Sequence, residues 1–168
     1  MNQSNYQIKL LQQLGKDLFR LVLLPDVLAS ALKFIAGQYI QVLYPDQTYQ
    51  PFSIANAPTN EGVIELLIRL QSDDVATDAF LNQCRSNQKV ILRGPFGDAY
   101  YRSDARPMLV LAAGTGFAYA KAIIEQAIQT DHSRFIHFYW GVKRPEDFVC
   151  LICLNHGKHK TIIFIIRN

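Results

Sequence analysis

A chain of 168 residues, 49% hydrophobic and 18% charged, can bury one good core or two small ones and has the balance of an ordinary globular protein. Its three cysteines, Cys84, Cys150 and Cys153, are an odd number without scaffold spacing, which argues against a disulfide framework. The net charge of +3 gathers after Gly141, where Lys143, Arg144, Lys158, Lys160 and Arg167 face only Glu146 and Asp147; no basic and aromatic residues interleave there, so nucleic acid is not an expected partner.

No apolar run reaches the ~18 residues of a transmembrane helix. Met1 to Asn5 carries neither the basic nor the apolar part of a signal peptide. The expectation is a cytoplasmic protein without a membrane partner. Residues 5–100 read mainly as strands. Tyr6 to Leu14 and Leu18 to Leu24 are apolar runs divided by Gly15-Lys16-Asp17, a turn signal. Gly37 to Tyr44 follows and is closed by Pro45-Asp46; then come Phe52 to Ala55, Val63 to Leu70 and Lys89 to Leu92. About six short strands with turn chemistry between them predict a small antiparallel barrel. Val75 to Cys84, apolar at Val75, Ala79 and Phe80, predicts one short helix.

The character changes across Tyr101 to Pro107, a polar stretch ending in proline, which predicts a domain boundary. Met108 to Ala112 then reads as a strand that stops at Gly114-Thr115-Gly116. A helix follows over 117–129, with Phe117, Lys121, Ile124, Ala127 and Ile128 at helical spacing. Phe135 to Trp140 completes a βαβ pattern with a parallel sheet. Thr161 to Ile166 is either a buried parallel strand or an aggregation-prone end.

Three motifs carry possible chemistry. The Gly114-Thr115-Gly116 turn would expose backbone N–H groups at a helix N-terminus, where phosphate binds; it can equally be a tight turn needing only glycine's freedom at positive φ. Gln50-Pro51-Phe52-Ser53 sits among the strands and taken alone reads as a strand start and turn. Gly94-Pro95-Phe96-Gly97 reads as a loop that ends a strand. In the tail, Cys150, Cys153, His156 and His159 recur at an unbroken spacing of three, which cannot easily wrap four ligands around one ion, so no metal site is expected.

The order of these pieces resembles the bacterial NAD(P)H–flavin reductases of the ferredoxin-NADP⁺ reductase superfamily. That family carries an Arg-x-(Tyr/Phe)-Ser motif, a Gly-Pro-x-Gly loop, a Gly-Gly-Thr-Gly-Phe-Ser turn and a Tyr-Trp-Gly strand end. Here they stand as Gln50 to Ser53, Gly94 to Gly97, Ala113 to Ala118 and Tyr139-Trp140-Gly141, with further local matches at Ala36 to Tyr39 and Arg106 to Met108. The resemblance implies a fold of the β plus α/β class: a six-stranded antiparallel flavin-binding barrel over 1–103, then a partial doubly wound, Rossmann-like nucleotide-binding domain over 104–168. It implies NAD(P)H-dependent flavin reduction, with riboflavin, FMN or FAD as a loosely bound substrate and NADH or NADPH as the hydride donor. Gln50, Pro51, Phe52 and Ser53 would face the flavin, with Ser53 as the catalytic residue beside the hydride-accepting nitrogen. Leu67, Ile68 and Arg69 would line the ring. Gly114, Thr115, Gly116 and Phe117 would receive the nicotinamide nucleotide.

Departures from the family pattern shape the rest of the expectation. Gln50 replaces a phosphate-binding arginine, and Asp73 and Asp74 stand where relatives that hold FAD tightly place glycine and serine. Ala113 and Ala118 replace a glycine and a serine of the nucleotide turn. The family sequence is expected to stop near Phe148, the rest being read-through after a frameshift or early stop. The Met108–Ala112 strand would then be an exposed sheet edge open to self-association. Two other readings stay open: an inactive or partner-dependent flavin- or nucleotide-binding remnant, and a reductase component passing electrons to a separate iron–sulfur protein.

Overall fold

In a computed structural model, residues 3–86, 89–104, 106–130, 134–144, 147 and 161–167 are described. The first half is a sheet of six strands: β1 (Gln3–Gln13), β2 (Leu18–Pro25), β3 (Tyr39–Leu43), β4 (Tyr49–Ser53), β5 (Ile64–Arg69) and β6 (Val90–Phe96), in the order β4-β3-β6-β1-β2-β5. All pairings are antiparallel. A bridge between Ile54 and Leu66 joins the two outer strands and curls the sheet into a barrel.

Alternation explains which residues fill it. Ile64, Leu66 and Ile68 of β5 point inward with Leu21, Leu23, Ile40, Val42 and Leu92, and all of these are essentially inaccessible to solvent. The helix α1 (Val75–Arg85) closes one end with Phe80, Leu81 and Cys84. Phe80 stacks on Tyr44 at 4.6 Å between ring centres. Unlike an ordinary surface strand, β5 is also buried on its outer face, at Glu65 and Leu67. That is why its sequence, broken only by Glu65, shows little apolar–polar alternation: the second half of the chain packs on it.

The second half is a parallel sheet of three strands: β7 (Met108–Ala113), β8 (Ile136–Val142) and β9 (Thr161–Arg167), in the order β7-β8-β9. The helix α2 (Phe117–Thr130) makes the crossover from β7 to β8. It is buried on two sides. Ala120, Ile124 and Ala127 join Val110, Phe138 and Trp140 in a second core, which also takes in Leu18, Ala55 and Leu67 from the barrel. Among the described residues β7 pairs only with β8, and its Leu109 and Leu111 are 63% and 59% exposed. The architecture is thus the expected barrel followed by part of a doubly wound sheet. Thr161 to Ile166 takes the parallel-strand alternative, in register with β8 from Ile136↔Thr161 onward.

Two expectations need correction. Strand β4 begins at Tyr49, ahead of the expected Phe52, and so carries Pro51 within it. Proline is tolerated because β4 hydrogen-bonds in regular register only to β3. Strand β6 runs on through Gly94 and the cis Gly94–Pro95 bond to Phe96, which pairs with Tyr39, so this motif belongs to the strand and is not a loop beyond it. The Cys150, Cys153, His156 and His159 series lies outside the described residues.

Candidate functional site

Barrel closure assembles the first part of the site. The Ile54–Leu66 bridge makes Ser53 and Leu67 neighbours across it, one residue on either side. Ser53 ends β4 half-buried, and Pro51 is exposed. Phe52, on the opposite face from these two, leans on the barrel core and stacks against Tyr44 at 6.2 Å. The Gln50 amide donates to Thr48 Oγ1 at 3.3 Å. On β5 the alternation sends Ile68 wholly into the barrel interior, so only its backbone is available to anything outside. Leu67 and Arg69 point the other way. Arg69 donates to both carboxylate oxygens of Asp17, at 3.1 and 3.2 Å, and to Asp147 Oδ1 at 3.0 Å.

The second part is the turn between β7 and α2. Gly114 has φ +51, a conformation that glycine adopts without penalty, and a Cβ placed on it would meet nothing within 4 Å. The space over this turn is open. Gly114 to Gly116 form a single 3₁₀ turn that leads straight into the 14-residue α2, with the Phe117 N–H turned back onto the Gly114 carbonyl and the positive end of the helix dipole at the turn. Two contacts fix the turn. Trp140 Nε1 donates to the Gly114 carbonyl at 3.0 Å, and the Trp140 ring stacks on Phe117 at 4.2 Å. Thr115 is exposed beside them.

The two parts meet. A narrow cleft between barrel and sheet is lined by Leu67 and Arg69 from β5, Gly114, Thr115 and Phe117 from the turn, and Leu18, Trp140, Val142 and Asp147. Five of the residues expected to bind cofactors therefore share one cleft. Gln50, Pro51, Phe52 and Ser53 do not line it; they lie on β4, across the closure from Leu67. Sequence reasoning missed Asp17 and Asp147 as partners of Arg69, and Trp140 as the prop of the glycine turn. The Tyr139-Trp140-Gly141 match was the signal for Trp140; the aspartates left none.

A wider groove of about 700 Å³, lined by Asp17, Leu70, Ser72, Asp74, Asp78 and Arg144 among others, lies beyond the Arg69–Asp17 pair and ends at the N-terminus of α1. There the Asp74 carboxylate accepts from Thr77 N–H at 2.9 Å and caps the helix, with Asp78 in the same first turn. A phosphate-binding helix end needs free N–H groups and no competing anion; here the Thr77 N–H is taken and two carboxylates stand at the end, with Lys16 and Arg144 the cations lining the same groove. The cleft as it stands is narrow, with about 10 Å³ of accessible space, so Leu67 and Phe117 supply an apolar surface for a ring rather than a formed pocket; the turn at Gly114 to Gly116 is open to solvent, and the capped N-terminus of α1 is a poor seat for a pyrophosphate.

Comparison with known proteins gives this geometry its family. Residues 6–101 match the oxidoreductase FAD-binding domain and residues 110–161 the oxidoreductase NAD-binding domain. A CDP-6-deoxy-L-threo-D-glycero-4-hexulose-3-dehydrase reductase of Yersinia pestis is 34% identical over 98% of this chain and 50% of its own length. The NAD(P)H-flavin reductase of Aliivibrio fischeri is 32% identical over 82% of this chain and 59% of its own. The chain thus spans about half the length of the curated relatives it matches. Among solved structures, ferredoxin-NADP⁺ reductase from Plasmodium falciparum superposes with TM-score 0.84 at 14% identity, covering 98% of this chain and 73% of that one. The ferredoxin reductase of carbazole 1,9a-dioxygenase gives 0.82 at 21%, covering 98% and 49%. The Yersinia match and the NAD-binding domain both continue past Phe148, and β9 extends the parallel sheet there, so the expectation that family sequence ends at Phe148 is overturned. With a barrel that matches the FAD-binding domain, a glycine turn within the NAD-binding domain and one cleft between them, the chain belongs to the oxidoreductases built from these FAD-binding and NAD-binding domains, and it has the fold of ferredoxin-NADP⁺ reductase.

Proposed function

We propose that this protein reduces flavin with NADH or NADPH and takes the flavin as a loosely held substrate. The observation that carries this reading is the cleft in which the outward face of β5, at Leu67 and Arg69, meets the glycine turn at Gly114 and Thr115. The bound cofactors supply the hydride donor and acceptor; the protein supplies alignment and exclusion of water. In this reading Gly114, Thr115, Gly116 and the start of α2 hold nucleotide phosphate. Leu67 and Phe117 give an apolar floor, and Ser53 Oγ offers a hydrogen bond to the reacting end of the flavin. Pro51 shapes the approach along β4. Gln50 supplies no cation for a flavin phosphate, and Asp74 occupies the helix end that a dinucleotide's pyrophosphate would need.

The reading also takes residues 1–103 and 104–168 as the two domains, a cytoplasmic location, and self-association through the edge of β7 that no described strand pairs with. It is tested by titrating the protein with riboflavin, FMN and FAD while following NADH and NADPH oxidation. Weak binding of all three flavins with turnover is expected. FAD retained stoichiometrically through dialysis would contradict loose binding.

One observation favours a second reading. The Yersinia relative that aligns over 98% of this chain is named as the reductase of a dehydrase. An electron-transfer component acting on a separate iron–sulfur protein would show little turnover with free flavin and a strong dependence on an added iron–sulfur acceptor.

A further inference from the structure

The barrel and the nucleotide half are joined by a buried ammonium group. Lys121 lies on α2, one helical turn after Phe117, with its side chain only 5% exposed. Its Nζ donates to the Ala55 carbonyl at 2.8 Å and lies 3.3 Å from Glu65 Oε1 and 2.6 Å from Glu125 Oε1. The other oxygen of each carboxylate is also used: Glu65 Oε2 accepts from Arg20 at 2.7 Å, and Glu125 Oε2 from Ala57 N–H at 3.1 Å. Asn56 Oδ1 accepts from Glu65 N–H at 2.7 Å, tying the Ala55–Ala57 segment to β5 within the barrel. A buried lysine with every donor directed at a fixed acceptor is held to one geometry. Burial alone would lower its pKa, but the two glutamates outweigh that and keep it charged, above the ordinary lysine value.

What Lys121 grips is specific. Ala55 is two residues past Ser53, and Glu65 two residues before Leu67. At the other end, Phe117 stacks on Trp140, which in turn holds the Gly114 carbonyl. We infer that Lys121 is a positioning residue that sets the distance between the flavin-facing strands and the nucleotide turn, so that removing it misaligns donor and acceptor while leaving each binding surface in place. Resting on the proposed function, the inference identifies which side chain delivers that alignment. A few tenths of an ångström matter for hydride transfer, whereas stacking and phosphate binding tolerate such a shift.

The test compares the unsubstituted chain with Lys121→Met, Lys121→Arg and Glu125→Gln. With riboflavin and NADH as probes, Lys121→Met should leave riboflavin Kd within ~3-fold yet slow flavin reduction at saturation by ~10-fold or more. Lys121→Arg, which keeps a buried cation with several donors, should recover most of the rate. Glu125→Gln keeps an acceptor for Ala57 and is the milder variant should Lys121→Met fold poorly; it should slow reduction by a few-fold. In parallel, spin labels at Gln12→Cys on β1 and Gln129→Cys on α2, with Cys150 and Cys153 replaced, report the spacing of the two halves. One narrow distance is expected in the parent chain and a broadened or displaced one in Lys121→Met. An unchanged rate in folded Lys121→Met, or an unchanged distance distribution, overturns the inference. Absence of any flavin reduction by the parent chain would sink the proposed function instead, and the distance measurement would then decide on Lys121 by itself.

Discussion

The barrel and the parallel sheet solve the same problem with unequal success. The barrel leaves little unfinished: the Ile54–Leu66 bridge joins its outer strands, and α1 stops one end with Phe80, Leu81 and Cys84. The parallel sheet covers one face with α2, while Leu109 and Leu111 on the other side of β7 stand in solvent. A side chain in the barrel is therefore supported on all sides, and one on the outer face of β7 on almost none. The same substitution chemistry should have opposite consequences in the two places.

The largest effect is expected at the plug. Phe80 is fully buried against Tyr44, and Phe80→Ala should cost about 3–5 kcal/mol in equilibrium urea unfolding, through lost transfer energy and an unfilled cavity. Loss of less than about 1 kcal/mol would mean that the barrel collapses around the gap and that α1 is not the support argued here.

Alkaline pH should find the barrel next. Burial pushes the Cys84 thiol up to about 12 and Tyr44 up to about 12, the latter partly offset by its hydrogen bond with Thr77; burial also raises Tyr6. Groups with raised values bind protons more tightly in the fold than in the unfolded chain. Their stabilisation is complete below the ordinary thiol and phenol values and is lost as pH climbs through the raised ones. Lys121 acts with the same sign from a higher starting point. Stability should fall from about pH 9 upward, by about 1.4 kcal/mol per pH unit for each group ionised only in the unfolded chain. Urea midpoints measured from pH 7 to 11 check this, and Tyr44→Phe should make the slope shallower. A flat profile would contradict it.

Periodicity made much of this fold legible, because both cores are built from side chains at strand or helix spacing. It failed where the cause is distant in sequence. Strand β4 was foreshortened at Pro51, since only the sheet order reveals an outer strand that tolerates proline. Arg69 carries no local sign of its partners: its guanidinium is turned onto Asp17 and Asp147, far away along the chain. Nor does Ile68 carry a mark of which core its side chain joins, because β5 is buried on both faces. Lys121 did leave a signal: a lysine in line with Phe117, Ile124 and Ala127 on an apolar helical face has to find a buried partner. The glycine turn was legible because its demand is local, a positive φ at Gly114.

A smaller change is expected at the strand end where barrel and cleft meet. Ser53→Ala removes one hydroxyl from a half-buried position and should leave the fold intact. If Ser53 holds the reacting end of the flavin, the rate at saturation should fall about tenfold to a hundredfold while flavin affinity stays within about threefold. Both quantities must be measured on one preparation. If neither moves, Ser53 is a strand residue only, and alignment in the cleft rests on the β5 side.

The smallest effect on stability, and the most telling for the comparison, is expected on the open face of β7. Leu109→Lys with Leu111→Lys places two charges where both leucines already face water, so the fold should change by no more than about 0.5 kcal/mol. Association should change far more. An apolar strand that, among the described residues, is paired on one side only invites a second strand, and lysine opposes that pairing by requiring its charge to stay hydrated. Sedimentation of the parent chain over a range of concentrations should show self-association, and the double variant should shift it toward monomer with an unchanged urea midpoint. If the variant instead unfolds at lower urea, these leucines are covered in solution by part of the same chain. The contrast between a finished barrel and an unfinished sheet would then have to be withdrawn.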